Sequence, residues 1–421
     1  HRTLMGRNKI LILKDGGDMT TSTSKPFRQL LTHPLYWQWS AALLFMRMPS
    51  IMTSFAFVLV GTYVTGNPAT GGLMVTAYII SGTVFTIPGG FLLDRIGVRK
   101  GVPLLLGFAV LTLLGLTTSV VSMVSPTLLV GLAGLAGAFT GGPPAAMRAL
   151  LSKIVPNELM TSALAFDATI IEVVVVTAPL IVAIMAALWP PGAIAAMAVV
   201  TAASALLVRH LTGQLGNSAE IMDKKIKSRI PKLRLRWVNK GFTFWLLVSV
   251  AFGHILGTLE TGALPVSHHL GGGAGSASIL IAISSLSSIF SGIIFANFSH
   301  RLLLKNATFA FILIVFLTVG CIGLGLSNQW MITIIVFIII GACTAPLMAI
   351  RSQAAEKEIP KTRKSQGFGL LNVAHTIGFA LGGMLLAFLP LKWMLLSGGI
   401  SGGVILMLTP VLIGFSLNRK D

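Results

Sequence analysis

Acidic residues are scarce in this chain of 421 residues: 12 Asp and Glu stand against 31 Lys and Arg, and the four charged types together make up 10% of it. With 54% hydrophobic residues and a mean hydropathy of +0.87, too little polar surface remains for a water-soluble globule. That scarcity also decides the meaning of the +19 net charge, which in a polar chain would suggest a nucleic-acid partner. Only two cysteines occur, Cys321 and Cys343, both inside apolar runs, which argues against a disulfide framework or a metal centre. No glycine-rich phosphate-binding loop is present, so an ion gradient rather than ATP is the expected energy source. No nucleophile, base and orienting group recur at a legible spacing, so no enzyme is expected, and no cofactor.

Apolar runs are abundant. Crossing roughly 30 Å of hydrocarbon takes about 20 residues, and twelve segments qualify: 38–63, 72–93, 102–122, 127–147, 162–187, 192–208, 242–265, 277–298, 304–325, 330–350, 367–388 and 394–415. The N-terminus has no short apolar stretch before a small-residue cleavage site, so no cleaved signal is expected. Residues 1–18 read as an appended or upstream segment, with Met19 offering a start.

Threading the cations through these spans places 29 of the 31 on one side. The N-terminal segment holds Arg2, Arg7, Lys9, Lys14, Lys25 and Arg28; the 2–3 loop Arg95, Arg99 and Lys100; the 4–5 region Arg148 and Lys153. The middle loop holds Arg209, Lys224, Lys225, Lys227, Arg229, Lys232, Arg234, Arg236 and Lys240. Arg301 and Lys305, then Arg351, Lys357, Lys361, Arg363 and Lys364, and finally Arg419 and Lys420 complete the set. Only Arg47 and Lys392 fall elsewhere. This asymmetry is the positive-inside signature, which puts both termini in the cytoplasm of a bacterial inner-membrane protein. The seven tryptophans fit the same threading, since all fall near span ends, where the ring favours the headgroup boundary.

The polar stretch 209–241 divides the chain into two sets of six spans. The expected organisation is a cytoplasmic segment 1–35, a bundle 36–208, the basic linker 209–241, a bundle 242–415 and a tail 416–421. The halves repeat each other. Gly137-Ala138-Phe139-Thr140 returns as Gly341-Ala342-Cys343-Thr344, Arg148 answers to Arg351, Pro156 to Pro360 and Asp167 to Asn372. Repeated halves of this kind place a substrate path at their interface near the bilayer midplane.

Between spans 2 and 3 the residues become specific: Gly90, then Asp94-Arg95-Ile96-Gly97-Val98-Arg99-Lys100. This loop resembles the signature loop of the major facilitator superfamily. The resemblance covers the chain from about residue 27 and implies an all-α membrane fold of twelve helices in two pseudo-symmetric six-helix bundles. It also implies that the loop latches the start of span 11, through Asp94 with Arg95 or Arg99, in the outward-open state. Gly90 is expected to allow close packing and Gly97 a tight turn. A further resemblance, to the span-5 proline motif of proton-coupled exporters, rests on Pro179 without the motif's glycines.

Ionisable residues inside a span are costly and therefore functional candidates. Counting about 1.5 Å per residue from the basic end puts Arg47, Glu172 and His254 near the midplane, His375 and Asp167 shallower, and Glu260 close to the far surface. A carboxylate is stable neutral when away from water and charged when beside a cation, so an Arg47–Glu172 pair that opens and closes would exchange a proton. Asp167, nearer the basic side, is expected to meet water. The resemblance places spans 1 and 7 on a central cavity, which favours Arg47 and His254 as its lining. Met and Phe residues crowding span 1, such as Met46, Met52 and Phe55, would suit greasy ligands. The expected function is alternating-access secondary transport, proton-coupled and outward, of small amphipathic or apolar compounds by a monomer in contact with membrane lipids. A nutrient importer, with Arg47 holding an anion, is the alternative, and a non-transporting membrane sensor a third.

Overall fold

A computed structural model describes residues 32–215, 237–298, 306–360 and 363–417, and among them every regular element is an α-helix. The helices are α1 (Pro34–Thr65), α2 (Pro68–Ile96), α3 (Val98–Val121), α4 (Pro126–Gly141), α5 (Pro143–Ile154), α6 (Asn157–Leu188) and α7 (Gly192–Gln214). After the basic linker come α8 (Lys240–His269), α9 (Ala274–Phe298), α10 (Asn306–Leu326), α11 (Trp330–Glu358), α12 (Lys364–Phe388) and α13 (Leu391–Leu417). Proline opens α1, α2, α4 and α5, where its missing N–H has no intrahelical partner to lose. Asn67 and Asn239 cap α2 and α8 by accepting from the backbone N–H of Ala69 and Phe242.

Eleven spans among the described residues are long and apolar enough to cross a membrane, with Val173–Leu188 as a shorter apolar stretch of α6. Their outward faces carry large hydrophobic side chains, Leu111, Leu206 and Met407 among them at 65%, 69% and 79% exposure. Water would not tolerate so much exposed apolar surface, whereas hydrocarbon requires it. The chain is a multi-pass membrane protein. Serine and threonine hydroxyls inside the helices mostly donate to the carbonyl one turn back, as Thr53 does to Pro49 O and Thr201 to Met197 O, which pairs them within their own helix.

The two halves repeat the same packing. In the first, α2 lies on α4, α3 on α7, and α1 on both α6 and α7; in the second, α9 lies on α11, α10 on α13, and α8 on both α12 and α13. One detail shows how closely the frame recurs. A Cβ at Gly137 would strike the carbonyl oxygen of Tyr78, and a Cβ at Gly341 would strike that of Ser284, so each glycine admits a neighbouring backbone at the same place in its bundle.

The halves meet through α2 with α12, α6 with α9, and α1 with α8. The close contacts of the first and last pairs lie away from the basic end. Gly72 abuts Gly383, Thr76 Oγ1 donates to Ala380 O at 3.1 Å, and Ser54 Oγ donates to Glu260 Oε2 at 2.8 Å. Toward the basic end the helices diverge around two cavities of about 580 and 590 Å³. The molecule is therefore closed by contacts at one face and open at the basic face.

Several boundaries differ from the sequence expectation. Span 4 is two helices meeting at Gly142, because Pro143 and Pro144 lack the N–H groups that would continue the ladder. α8 runs past the expected end of span 7 at residue 265, through Pro265 to His269. Trp39 and Trp245 are core residues, not headgroup anchors: Trp39 is fully buried, its indole N–H donating to Met147 O at 2.7 Å, and Trp245 is 7% exposed. Met46, Met52 and Phe55 are likewise buried among neighbouring helices, which removes them from the lining of either cavity.

Candidate substrate and proton pathway

Arg47, on α1, pairs with Asp167 of α6. Its Nη1 donates to both carboxylate oxygens of Asp167 on α6, each at 2.9 Å, with the two side chains 14% and 10% exposed. The expectation that Asp167 meets water is thus corrected: it is buried in an ion pair inside the first half. Near the basic end of this contact, the Tyr36 hydroxyl donates to Ala163 O at 2.9 Å and pins α1 to α6 one turn before Asp167. The Arg47 Nη2 is buried without a hydrogen bond. The Glu172 side chain lies outside the described residues. Pro179 is buried further along α6, where it removes one backbone bond from the helix.

Glu260 was expected near the far surface. It lies instead nine residues before the end of α8, about 13 Å below it, joined to Ser54 of α1 and lining the 590 Å³ cavity between α6 and the second half. The rest of that cavity is mainly apolar, with Val175, Leu256, Leu259 and Phe337, and a strip of hydroxyls from Ser284, Ser285 and Ser288. Among the described residues Glu260 is its one ionisable lining residue.

The 580 Å³ cavity, between α2, α4, α5 and α12, has no charged lining among the described residues. Hydroxyls and amides of Ser50, Tyr78, Thr83, Thr140, Gln366 and Asn372 supply its polar lining. Thr140 Oγ1 lies 3.1 Å from Tyr78 Oη, which is also 3.5 Å from Ser50 Oγ. Sequence reasoning had missed Ser54, Tyr78, Thr140 and Gln366. The one available signal was rarity, since Tyr78 is one of three tyrosines and falls within a span.

His254 points away from both cavities, to α13, where Nδ1 lies 2.6 Å from Ser401 Oγ and Nε2 3.2 Å from Ser397 Oγ. That geometry makes it a hydrogen-bonded packing residue, not part of a cavity wall. His375, on α12, packs its ring against Phe252 at 5.3 Å and leaves Nδ1 buried without a partner. Arg351 stands 5.8 Å from the centre of the same Phe252 ring, 7% exposed, with Nε and Nη1 unpartnered. Its counterpart Arg148 is exposed.

In the loop between α2 and α3, Gly97 adopts φ +84°, ψ 154°, a conformation closed to side-chain-bearing residues, and its N–H closes α2 on Leu93 O. A Cβ on Gly90 would meet open space; the close approach expected there belongs to Gly89, beside Gly142. Asp94, Arg95, Arg99 and Lys100 are exposed, and among the described residues Asp94 makes no hydrogen bond or ion pair. Among the described residues no latch joins this loop to the start of α12, in keeping with the divergence of α2 from α12 at this end.

The family model described as the Major Facilitator Superfamily matches residues 36–383. Among solved structures, that of the nucleoside transporter NupG superposes with a TM-score of 0.71 at 13% identity, covering 90% of this chain and 99% of that one. The POT family transporter PepTSo gives 0.69 at 10% identity, with 91% and 99% covered. The peptide transporter POT in complex with sulfate gives 0.67 at 14%, with 90% and 94% covered. No curated protein matches the chain. At these identities the structural likeness is one of fold.

Proposed function

Because the chain belongs to the Major Facilitator Superfamily, and is thus a membrane transporter and not an enzyme, we propose that it exports small amphipathic or apolar compounds in exchange for protons. The basic face is read as cytoplasmic in a bacterial inner membrane, so the arrangement described is open to the cytoplasm. A substrate with an apolar body enters the cleft walled by Leu256, Leu259 and Phe337, where its polar end meets Glu260. Rocking of the two halves, working as a monomer, parts Ser54 from Glu260 and opens the far face. Glu260 then takes a proton from outside as the substrate leaves, and returns it to the cytoplasm after the reverse motion.

The observation that carries this reading is the position of Glu260, a carboxylate at the head of an apolar cleft and hydrogen-bonded across the halves. Purified protein in liposomes under an imposed pH gradient tests it. Glu260→Gln keeps an oxygen for the Ser54 hydroxyl but cannot release a proton. It should abolish pH-driven accumulation of a fluorescent amphipathic probe while leaving substrate exchange without a gradient. Retained pH-driven accumulation would sink the assignment.

A second reading, import of a neutral polar nutrient, is favoured by the uncharged hydroxyl and amide lining of the cleft beside Tyr78 and Gln366. Flux in inside-out against right-side-out vesicles separates the two. Export predicts gradient-driven uptake only in the inside-out preparation.

A further inference from the structure

Outside the two clefts, a cavity of about 1170 Å³ lies on the outer wall of the first half, where the first turns of α3 meet the last turns of α7. Arg99, Lys100, Arg209 and His210 line it, and among the described residues no carboxylate does. Among the described residues Arg99, Lys100 and Arg209 have no ion-pair partner, while His210 Nε2 lies 3.0 Å from Gln214 Nε2. Three cations held together without an acid are a cost unless an anion joins them.

Depth identifies the anion. Leu104 stands four residues beyond Lys100 in α3, and Leu206 three residues before Arg209 in α7, so both leucines lie one turn nearer the membrane interior than the cations. Both are exposed. The same faces continue inward through Phe108 and Leu111 on α3 and Val199 on α7, all exposed. The groove therefore straddles the boundary, with a cationic rim at headgroup level and an apolar track leading into hydrocarbon.

We propose that this groove binds an anionic phospholipid, with its phosphate on Arg99, Lys100 and Arg209 and one acyl chain along Leu104 and Leu206. Free phosphate would satisfy the cations and leave the apolar track unused. The chain's own linker is a poor occupant, because residues 216–236 carry seven Lys and Arg against Glu220 and Asp223 and share the sign of the groove. Anionic lipid is also enriched in the cytoplasmic leaflet, which the positive-inside asymmetry assigns to this face.

The test titrates the purified full chain in detergent with phosphatidylglycerol, with phosphatidylcholine of the same acyl chains, and with inorganic phosphate. Melting temperature and lipid adducts in native mass spectrometry are the readouts. Phosphatidylglycerol should bind and raise the melting temperature, and phosphatidylcholine and phosphate should not. Arg209→Gln should weaken phosphatidylglycerol binding about fivefold, and Lys100→Gln with Arg209→Gln about 25-fold. Lys357→Gln, an exposed cation at the same face outside the groove, should change it less than twofold. Equal binding of the two lipids, full competition by inorganic phosphate, or a loss in Lys357→Gln as large as in Arg209→Gln would each overturn the proposal. Should the double variant not fold, the comparison of Arg209→Gln with Arg209→Lys decides: the lysine must retain binding that the glutamine loses.

Discussion

Replacing Asp167 by Asn removes a charge from a pair whose side chains are only 14% and 10% exposed, and leaves the Arg47 guanidinium with its Nη2 already unpartnered. Breaking a buried pair by deleting one partner costs about 3–5 kcal/mol. Asparagine keeps the volume and one acceptor oxygen, so the lower end, about 3 kcal/mol or a hundredfold or more in the unfolding equilibrium, is expected. The two single variants should differ. Arginine cannot shed its proton, whereas an aspartate left alone can take one up, so Arg47→Met should destabilise less than Asp167→Asn. Combining Arg47→Met with Asp167→Asn removes both charges and should return stability to within about 1 kcal/mol of the parent or above it. Unfolding by dodecyl sulfate titration in mixed micelles, for the parent, both singles and the double, gives the full cycle. A double variant no more stable than Asp167→Asn would refute the argument, since the penalty would then not come from an uncompensated charge.

Arg351→Met should stabilise the protein by about 1 kcal/mol or more, because it removes a buried cation with two unpartnered nitrogens and keeps the packing on Phe252; a lower melting temperature would point to an anion that Arg351 needs. Gly137→Ala and Gly341→Ala should each cost about 1–3 kcal/mol, since the new methyl meets a carbonyl of the adjacent helix, while Gly90→Ala should stay within about 0.5 kcal/mol; equal effects at all three would contradict the repeated frame. Cysteines at Thr76 and Ala380, where α2 and α12 touch, should form a disulfide that stops flux until a reductant is added. Undiminished flux in the oxidised form would mean that this face need not open.

The membrane-crossing helices were legible because hydrocarbon thickness leaves a large signal in a chain with few charges. The partner of Arg47 was not. From the starts of α1 and α6, Arg47 stands thirteen residues in and Asp167 ten, so Asp167 is shallower by about 4.5 Å. The length of the arginine side chain spans that difference. Neutral lining residues such as Ser54, Tyr78 and Gln366 were hidden for another reason. Helices buried against protein on one side and facing lipid on the other are apolar all round, so the periodicity that marks a polar face in a soluble helix is missing.

The two bundles share a backbone frame and not a charge pattern, and that difference separates the roles of the acids. Arg47 and Asp167 both belong to the first half, whereas Asn372 answers to Asp167 in the second. A pair held inside one rigid bundle keeps its distance when the bundles rock, so Arg47–Asp167 is a fixed brace between α1 and α6. Ser54–Glu260 joins the two halves, and any motion that opens the far face must break it. A carboxylate that loses its hydrogen bond across the halves at the moment water reaches it is the group whose protonation the motion can change. In the proposed export cycle coupling therefore falls to Glu260, whereas depth along the sequence had favoured the residues around Arg47.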